Sequence, residues 1–112
     1  MTQDAYHHPA IEDVTLPEVL HALSEPLRLS ILAALREGEE RNWGAFDAQV
    51  AASTLSHHMK VLRQAGLIRT RRDGTRCQVS LRPEIEERFP GLLGTVLRLS
   101  GGSRSESDRR GF

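Results

Sequence analysis

The sequence is poor in cysteine, in aromatic residues and in long apolar runs. Cys77 is the single cysteine among 112 residues, so an internal disulfide is excluded and a reducing cytoplasm is expected. Only five residues are aromatic, which predicts an aliphatic core. No run approaches the ~20 apolar residues of a membrane-spanning helix. The N-terminus lacks the cationic start and apolar stretch of an export signal, so we expect a cytoplasmic protein without a membrane partner.

Sequence patterns typical of enzymes are also missing. The chain carries no phosphate-binding P-loop, no glycine-rich dinucleotide turn and no acid–nucleophile–base constellation. A chain of this length closes one modest core, which leaves little room for a substantial substrate pocket as well. We therefore expect one domain, no catalytic residues and no required cofactor.

The formal net charge of zero conceals an uneven distribution of charge. Residues 1–56 carry three arginines against nine acids, and residues 83–112 carry five charges of each sign. Residues 57–82 carry seven cations against Asp73 alone, a net of +6. Because salt screens charges beyond ~8–10 Å, a polyanion responds to this local segment and not to the total. The distribution favours a nucleic-acid partner.

Hydrophobic periodicity predicts a mostly α-helical domain with a small β-hairpin. Helices are expected from Thr15 or Leu16, from a Ser24 cap, from a Ser53 cap and from Pro83 onward, with a brief helix or turn over 43–50. Strands are expected over 68–71 and 77–81, joined by a tight turn at Asp73 and Gly74. The order ααααββα is that of a winged helix-turn-helix. It is expected to span residues 15–99, between a flexible arm (1–14) and a disordered tail (100–112).

The fourth predicted helix and the hairpin together form a candidate DNA-binding surface. Leu55, Met59 and Leu62 share one face of this helix, which leaves a polar face for the major groove of DNA. Basic hairpin residues can follow the phosphate backbone or enter the minor groove. The predicted DNA-binding residues are Ser53, Thr54, Ser56, His57, Lys60, Arg71, Arg72, Thr75 and Arg76.

Three segments resemble the ArsR/SmtB family of bacterial transcriptional regulators. Residues 20–32 are similar to its paired helices, with Pro26 and Arg28 preceding an aliphatic run. Residues 53–62 resemble its recognition helix in the spacing of Ser56, His58, Lys60 and Leu62, and residues 73–76 resemble its wing tip. The resemblance covers roughly residues 15–98. It implies a winged-helix homodimer that binds operator DNA, usually as a repressor, and that an inducer releases in many relatives.

The sequence departs from the metal-sensing members of that family. Residues 41–45 lack the Cys-x-Cys pair of the best-known sensors, and residues 84–99 offer carboxylates but no histidine. Neither family metal site is therefore expected. His7 and His8 remain candidate ligands for nickel or zinc, although a solvent-exposed pair without function is the simpler interpretation. Cys77 could sense oxidants, but a packing role in a strand is more common.

The first and last predicted helices are more apolar than one small domain requires. We expect them to pack across a two-fold axis. The predicted dimer-interface residues are Leu20, Leu23, Phe89, Leu92, Leu93 and Val96.

The sequence thus predicts a sequence-specific DNA-binding regulator that binds an inverted repeat as a homodimer. Repressor is the default, and a ligand or metal effector stays open. The alternative is a winged-helix interaction module or co-regulator that acts with a partner protein.

Overall fold

The computed structural model describes residues 6–37 and 40–101, apart from the side chains of residues 47–49. Its first α-helix, α1 (Leu16–Ala22), begins where the sequence predicts. The Thr15 hydroxyl accepts a hydrogen bond from the Glu18 backbone N–H, and the Glu18 carboxylate accepts one from the Thr15 N–H. This reciprocal capping box satisfies two otherwise unpaired backbone donors at the helix start.

The second helix, α2 (Pro26–Arg36), is preceded by Glu25, which makes no side-chain cap. The predicted Ser24 cap is wrong, because the Ser24 hydroxyl instead donates to the carbonyl of His21 at 2.6 Å. Pro26 fits the first turn, where its missing N–H removes no helical hydrogen bond.

The predicted third helix is a 3₁₀ helix (Trp43–Gln49), which follows a two-residue strand, β1 (Arg41–Asn42). The next helix, α3 (Ala52–Gln64), corresponds to the predicted fourth helix. It is preceded by Ala51, so the predicted Ser53 cap is wrong. The extended backbone of Ala51 already accepts the first helical hydrogen bond, from the Leu55 N–H, and Ser53 lies within the first turn.

The hairpin consists of β2 (Ile68–Asp73) and β3 (Arg76–Leu81), longer than predicted because Asp73 and Arg76 still pair across the turn. Gly74, with φ +67°, occupies that turn together with Thr75. β1 pairs with the other edge of β3, giving an antiparallel sheet of order β1-β3-β2. The extra strand was not predicted because two residues are too short to show an alternating pattern.

The single last helix expected from the sequence is two helices, α4 (Glu84–Arg88) and α5 (Leu92–Ser100). Pro90 has no backbone N–H to continue the first helix, and Gly91 has φ +79°. The chain therefore changes direction between them. The winged helix-turn-helix prediction is confirmed in its order of main elements, with this division and β1 as additions.

The core is aliphatic, as the composition predicts. Trp43, Phe46 and Phe89 pack only partly buried against it. No helix within the described part of the chain is long and apolar enough to cross a membrane. The buried apolar residues come from the five α-helices, the sheet and the segments beside them, and they are Val14, Val19, Ala22, Leu23, Ile31, Leu32, Leu35, Leu55, Met59, Leu62, Ala65, Leu67, Ile68, Val79, Ile85, Leu93 and Leu97.

Residues 6–14, expected as part of a flexible arm, lie against the domain. Three arginines donate to backbone carbonyls of this segment: Arg63 to His7 at 3.2 Å, Arg82 to Pro9 at 2.7 Å, and Arg88 to Val14 at 2.7 Å. Val14 itself is 1% exposed. Composition alone could not predict this packing, because the donors lie more than fifty residues away in the chain.

Candidate nucleic-acid interface

One face of α3 is buried and the other is open to solvent. Leu55, Met59 and Leu62 are at most 1% exposed and fix the helix to the core. The polar residues predicted on the opposite face are all exposed: Ser53, Thr54, Ser56, His57 and Lys60. A rigidly held helix with a continuous polar face has the form that enters a major groove.

The neighbouring histidines of α3 occupy different environments. His57 is exposed, whereas His58 is half-buried and its Nδ1 lies 3.1 Å from an Arg28 guanidinium nitrogen. Burial, followed by the positive charges of Arg28 and His57, lowers the pKa of His58, while Glu25 raises it slightly. The neutral ring can accept the Arg28 hydrogen bond. His57 therefore faces solvent while His58 packs, and the two do not form a shared metal site.

Arg28 is a structural residue that sequence reasoning did not assign to this site. Its side chain is buried and donates to the carbonyl of Ala22 at 2.7 Å and to that of His21 at 3.3 Å. It thus satisfies carbonyls at the end of α1 while contacting α3 through His58. The position of α3 is therefore coupled to that of α1.

The hairpin places three of its four predicted residues in solvent without a side-chain partner among the described residues: Arg72, Thr75 and Arg76. Arg71 differs, because its guanidinium forms two hydrogen bonds with the Glu40 carboxylate, at 2.6 and 2.8 Å. These bonds lower the pKa of Glu40 and raise that of Arg71. Arg71 can reach phosphate only by exchanging this solvent-screened partner.

The basic segment therefore divides into two groups of side chains. Arg63 and Arg82 hold the N-terminal segment, and Arg69 and Arg71 pair with Glu84 and Glu40 respectively. Within the described parts of the chain, the cations left without such partners are Lys60, Arg72 and Arg76. They lie on α3 and on the hairpin, so the uncompensated charge of the segment falls on the candidate interface.

The residues predicted for the dimer interface differ in their exposure. Leu23 and Leu93 are 5% and 6% exposed, and they lie in the chain's own core. Phe89, Leu92 and Val96 are partly buried against that core. Leu20 is 47% exposed, and two further exposed leucines were not anticipated, Leu16 at 42% and Leu99 at 77%. An apolar periodicity does not distinguish the inner face of a helix from an interface, so the dimer interface stays a prediction.

The arm histidines are not arranged as the candidate metal pair. His8 Nε2 accepts a hydrogen bond from the backbone N–H of Thr70 at 3.0 Å, and His7 is exposed. The described residues contain no group of three or more histidine, cysteine or carboxylate side chains placed to hold a metal ion.

Tyr6 and Cys77 connect the arm to the sheet, since the Tyr6 hydroxyl and the Cys77 sulfur lie 3.1 Å apart. This hydrogen bond is the main cause of a raised pKa of Tyr6, with burial second. The Tyr6 ring also stacks on Trp43, with centroids 6.5 Å apart, and the Arg63 guanidinium lies 5.0 Å from its centroid. Cys77 thus has a packing role in β3.

Comparisons with known proteins agree with this geometry. Residues 23–71 match a family model described as a helix-turn-helix domain. The chain is 35% identical over 89 residues to the uncharacterized HTH-type transcriptional regulator YceK of Bacillus subtilis (strain 168), covering 76% of this chain and 89% of that protein. The residues matched by the family model, 23–71, contain α3 and the start of the hairpin.

Two solved structures have the same fold. The transcriptional repressor BigR from Xylella fastidiosa superposes with a TM-score of 0.60 at 27% identity, over 75% of this chain and 84% of BigR. An ArsR family transcriptional regulator superposes with a TM-score of 0.62 at 21% identity, over 76% of this chain and 94% of that one. The second likeness concerns the fold alone.

Proposed function

We propose that this chain, which belongs to the ArsR/SmtB family of helix-turn-helix transcriptional regulators, is a cytoplasmic, homodimeric repressor that binds an inverted-repeat operator. One observation carries the proposal. The exposed polar face of α3 lies in the same domain as a hairpin whose Arg72 and Arg76 have no partner within the described residues. The structural relative BigR is a transcriptional repressor, which favours repression for this chain.

The α3 helix supplies the sequence-reading part of the interface. Ser53, Thr54, Ser56 and His57 occupy its first two turns, where short polar side chains reach base edges in the major groove. Lys60 lies one turn further and contacts phosphate. Because the buried face of α3 is fixed by the core, these side chains approach DNA with little loss of backbone freedom.

The hairpin supplies the contacts that hold any DNA sequence. Arg72, Thr75 and Arg76 follow the backbone beside the major groove or enter the adjacent minor groove. Each phosphate contact releases counterions, so affinity falls as salt rises. Arg71 joins these contacts when phosphate replaces Glu40.

A dimer makes the operator symmetric. Two α3 helices related by a two-fold axis lie ~34–36 Å apart when they enter successive major grooves on one side of the duplex. The exposed Leu16 and Leu20 of α1 and Leu99 of α5 supply apolar surface for the contact between protomers.

The test is a fluorescence-anisotropy titration of purified protein with DNA from upstream of its own gene, with random duplex as competitor. We expect a preference of about 10³-fold or more for the upstream DNA. Weak binding that random DNA abolishes equally would contradict the proposal and favour an interaction module that acts with a partner protein.

Variants of the hairpin test its role. Arg72→Ala and Arg76→Ala should weaken binding to both DNAs and flatten the slope of log affinity against log salt by about one unit each. The control is Arg98→Ala on α5, whose exposed side chain lies outside the hairpin and α3. An unchanged salt slope in the hairpin variants would remove the wing from the interface.

Variants of α3 test sequence reading. Thr54→Ala and His57→Ala should change which sequence is preferred, at a cost of about 1–3 kcal/mol per lost base contact. Equal losses on upstream and random DNA would show that these side chains do not read bases.

A further inference from the structure

An open groove of about 610 Å³ lies between residues 6–10 and strand β2. Arg69, Arg71, Arg72 and Arg82 line it from the sheet side, and Pro9 and Ala10 line it from the arm. Small-molecule sites in proteins commonly enclose about 300–1,000 Å³, so an organic ligand of ordinary size fits here.

The charged side chains that line the groove are all arginines, and the acids that pair with them lie outside it. Glu84 contacts Arg69 and Arg82 at 3.4 and 3.5 Å, and Glu40 contacts Arg71. Neither carboxylate lines the groove. Arg72 has no ion pair among the described residues. The four arginines of the groove therefore carry more positive charge than Glu40 and Glu84 neutralise.

The walls of the groove are held in place from both sides. Arg82 is 7% exposed and donates to the carbonyl of Pro9 at 2.7 Å, which links the arm to the end of β3. His8 accepts the Thr70 N–H at the free edge of β2. The cleft is therefore formed before a ligand arrives, which reduces the entropic cost of binding.

Two polar groups at the groove, one buried and one exposed, have no hydrogen-bond partner among the described residues. Thr70 is among the lining residues, and its hydroxyl oxygen is buried without a hydrogen-bond partner. The Arg72 guanidinium has five donor N–H groups and no acceptor among the described side chains. Unsatisfied buried polar groups such as the Thr70 hydroxyl are uncommon in folded proteins and call for a specific explanation. Arg72 is exposed, so it contributes an unpaired cation and not a buried unsatisfied group.

We propose that this groove binds a ligand bearing phosphate groups, with Arg69 and Arg72 as its principal contacts. Guanidinium groups match phosphate oxygens through paired hydrogen bonds, and several of them together favour a polyanion over a single carboxylate. Pro9 and Ala10 offer an apolar wall to the organic part of such a ligand. The site is separate from the polar face of α3, and its ligand is a free phosphorylated molecule and not the backbone of DNA beside the wing.

The experiment is isothermal titration of the full chain with inorganic pyrophosphate at low ionic strength. We expect saturable binding that weakens at least tenfold in the double variant Arg69→Gln/Arg72→Gln. Ala10→Glu should weaken binding similarly while keeping every arginine, because its carboxylate enters the groove. Arg98→Gln is the matched control and should bind like the unmodified chain.

The outcomes separate the proposal from nonspecific attraction. Absence of saturable heat, or equal affinities in all four proteins, would overturn it. Thermal melting of each variant shows that the fold is retained, and Ala10→Glu keeps the test valid if the double variant does not fold. Because no operator is used, failure of the proposed DNA function leaves this result unaffected.

A second titration identifies the source of the phosphate. Pyrophosphate is added to protein already saturated with random duplex DNA. Heat that persists supports a site for a free phosphorylated molecule. Heat that disappears would overturn the proposal, because the groove would then belong to the DNA contact of the hairpin.

Discussion

At the scale of single residues, His8 connects protonation to the position of the arm. Its Nε2 can accept a hydrogen bond from the Thr70 N–H only when the imidazole is neutral and Nε2 carries no proton. Burial is the main cause of a lowered pKa of His8, and the positive charges of Arg63, Arg82, Arg69 and His7 lower it further. The docked arm therefore favours the deprotonated ring.

The sign of the resulting pH dependence follows from this shift. The pKa of His8 in the docked arm lies below its ordinary value of 6.5, so docking is fully favoured above that pH. As pH falls from about 6.5 through the lowered pKa, protonation removes the acceptor and adds a cation beside three arginines. We expect the arm to detach over this range, which the fluorescence of Trp43 reports because Tyr6 stacks on it.

Two variants make this pH prediction specific. His8→Gln retains an acceptor oxygen near the position of Nε2 but does not titrate, so its fluorescence should not change over the same range. His7→Gln, at an exposed neighbour, should behave like the unmodified protein. An identical acid transition in His8→Gln would assign it to another group, such as His58, whose pKa is also lowered.

At the scale of elements, two glycines of similar backbone conformation have different surroundings. Gly66 follows α3 with φ +84°, and Gly91 precedes α5 with φ +79°. A Cβ on Gly66 would lie 2.5 Å from a methyl carbon of Val14. A Cβ on Gly91 would have no described atom within 4 Å, apart from those of Gly91 itself and of the residues next to it in the chain. The first position therefore needs glycine for two reasons and the second for one.

This difference predicts unequal effects of the same substitution. Gly91→Ala should lower the free energy of unfolding by about 1 kcal/mol through backbone strain. Gly66→Ala should cost about 1–3 kcal/mol more, because Val14 must move. Urea denaturation of both variants measures the difference, and equal costs would show that the arm yields around Val14 without loss.

The elements also show where sequence reasoning succeeds. α1, α2 and α3 were predicted because 3.6-residue periodicity is local, although the expected caps of α2 and α3 were wrong. The hairpin was predicted because Asp73 and Gly74 favour a turn. The division between α4 and α5 was missed although Pro90 and Gly91 carried the information, since apolar spacing continues through both helices. A break within an apolar helical pattern is predicted better when proline and glycine are given more weight than the apolar spacing.

The candidate interface was predictable to the extent that it depends on exposed polar periodicity. Ser53, Thr54 and His57 needed only the helical phase. The roles of Arg28, Arg63 and Arg82 did not follow from the sequence, because each donates to a backbone carbonyl. Every residue carries such a carbonyl, so the residue type gives no sign of the partner. The Glu40 partner of Arg71 lies 31 residues away, beyond any local pattern.

At the scale of the whole molecule, the chain separates its charge from its exposed apolar surface. The unpaired cations of the basic segment lie on α3 and the hairpin, whereas the large exposed apolar side chains among the described residues are Leu16, Leu20 and Leu99, on α1 and α5. Arg28 connects the end of α1 to α3. A contact between protomers through α1 would therefore bear on the position of α3.

This arrangement predicts that dimerisation and operator affinity fail together. Leu20→Glu and Leu99→Glu place a charge in the proposed contact, where burying it without a partner is unfavourable. Each should shift the protein to monomer in sedimentation velocity. Loss of the second half-site should weaken operator binding by about 10²- to 10⁴-fold, with much smaller loss on random DNA.

The matched control for the dimer prediction is Ser30→Glu, which adds the same charge at an exposed position of α2. It should leave both the sedimentation coefficient and the operator affinity unchanged. A dimer that persists in both leucine variants would exclude α1 and α5 as the contact. Monomers that retain full operator affinity would instead separate assembly from recognition, because one α3 helix would then supply all of the binding energy.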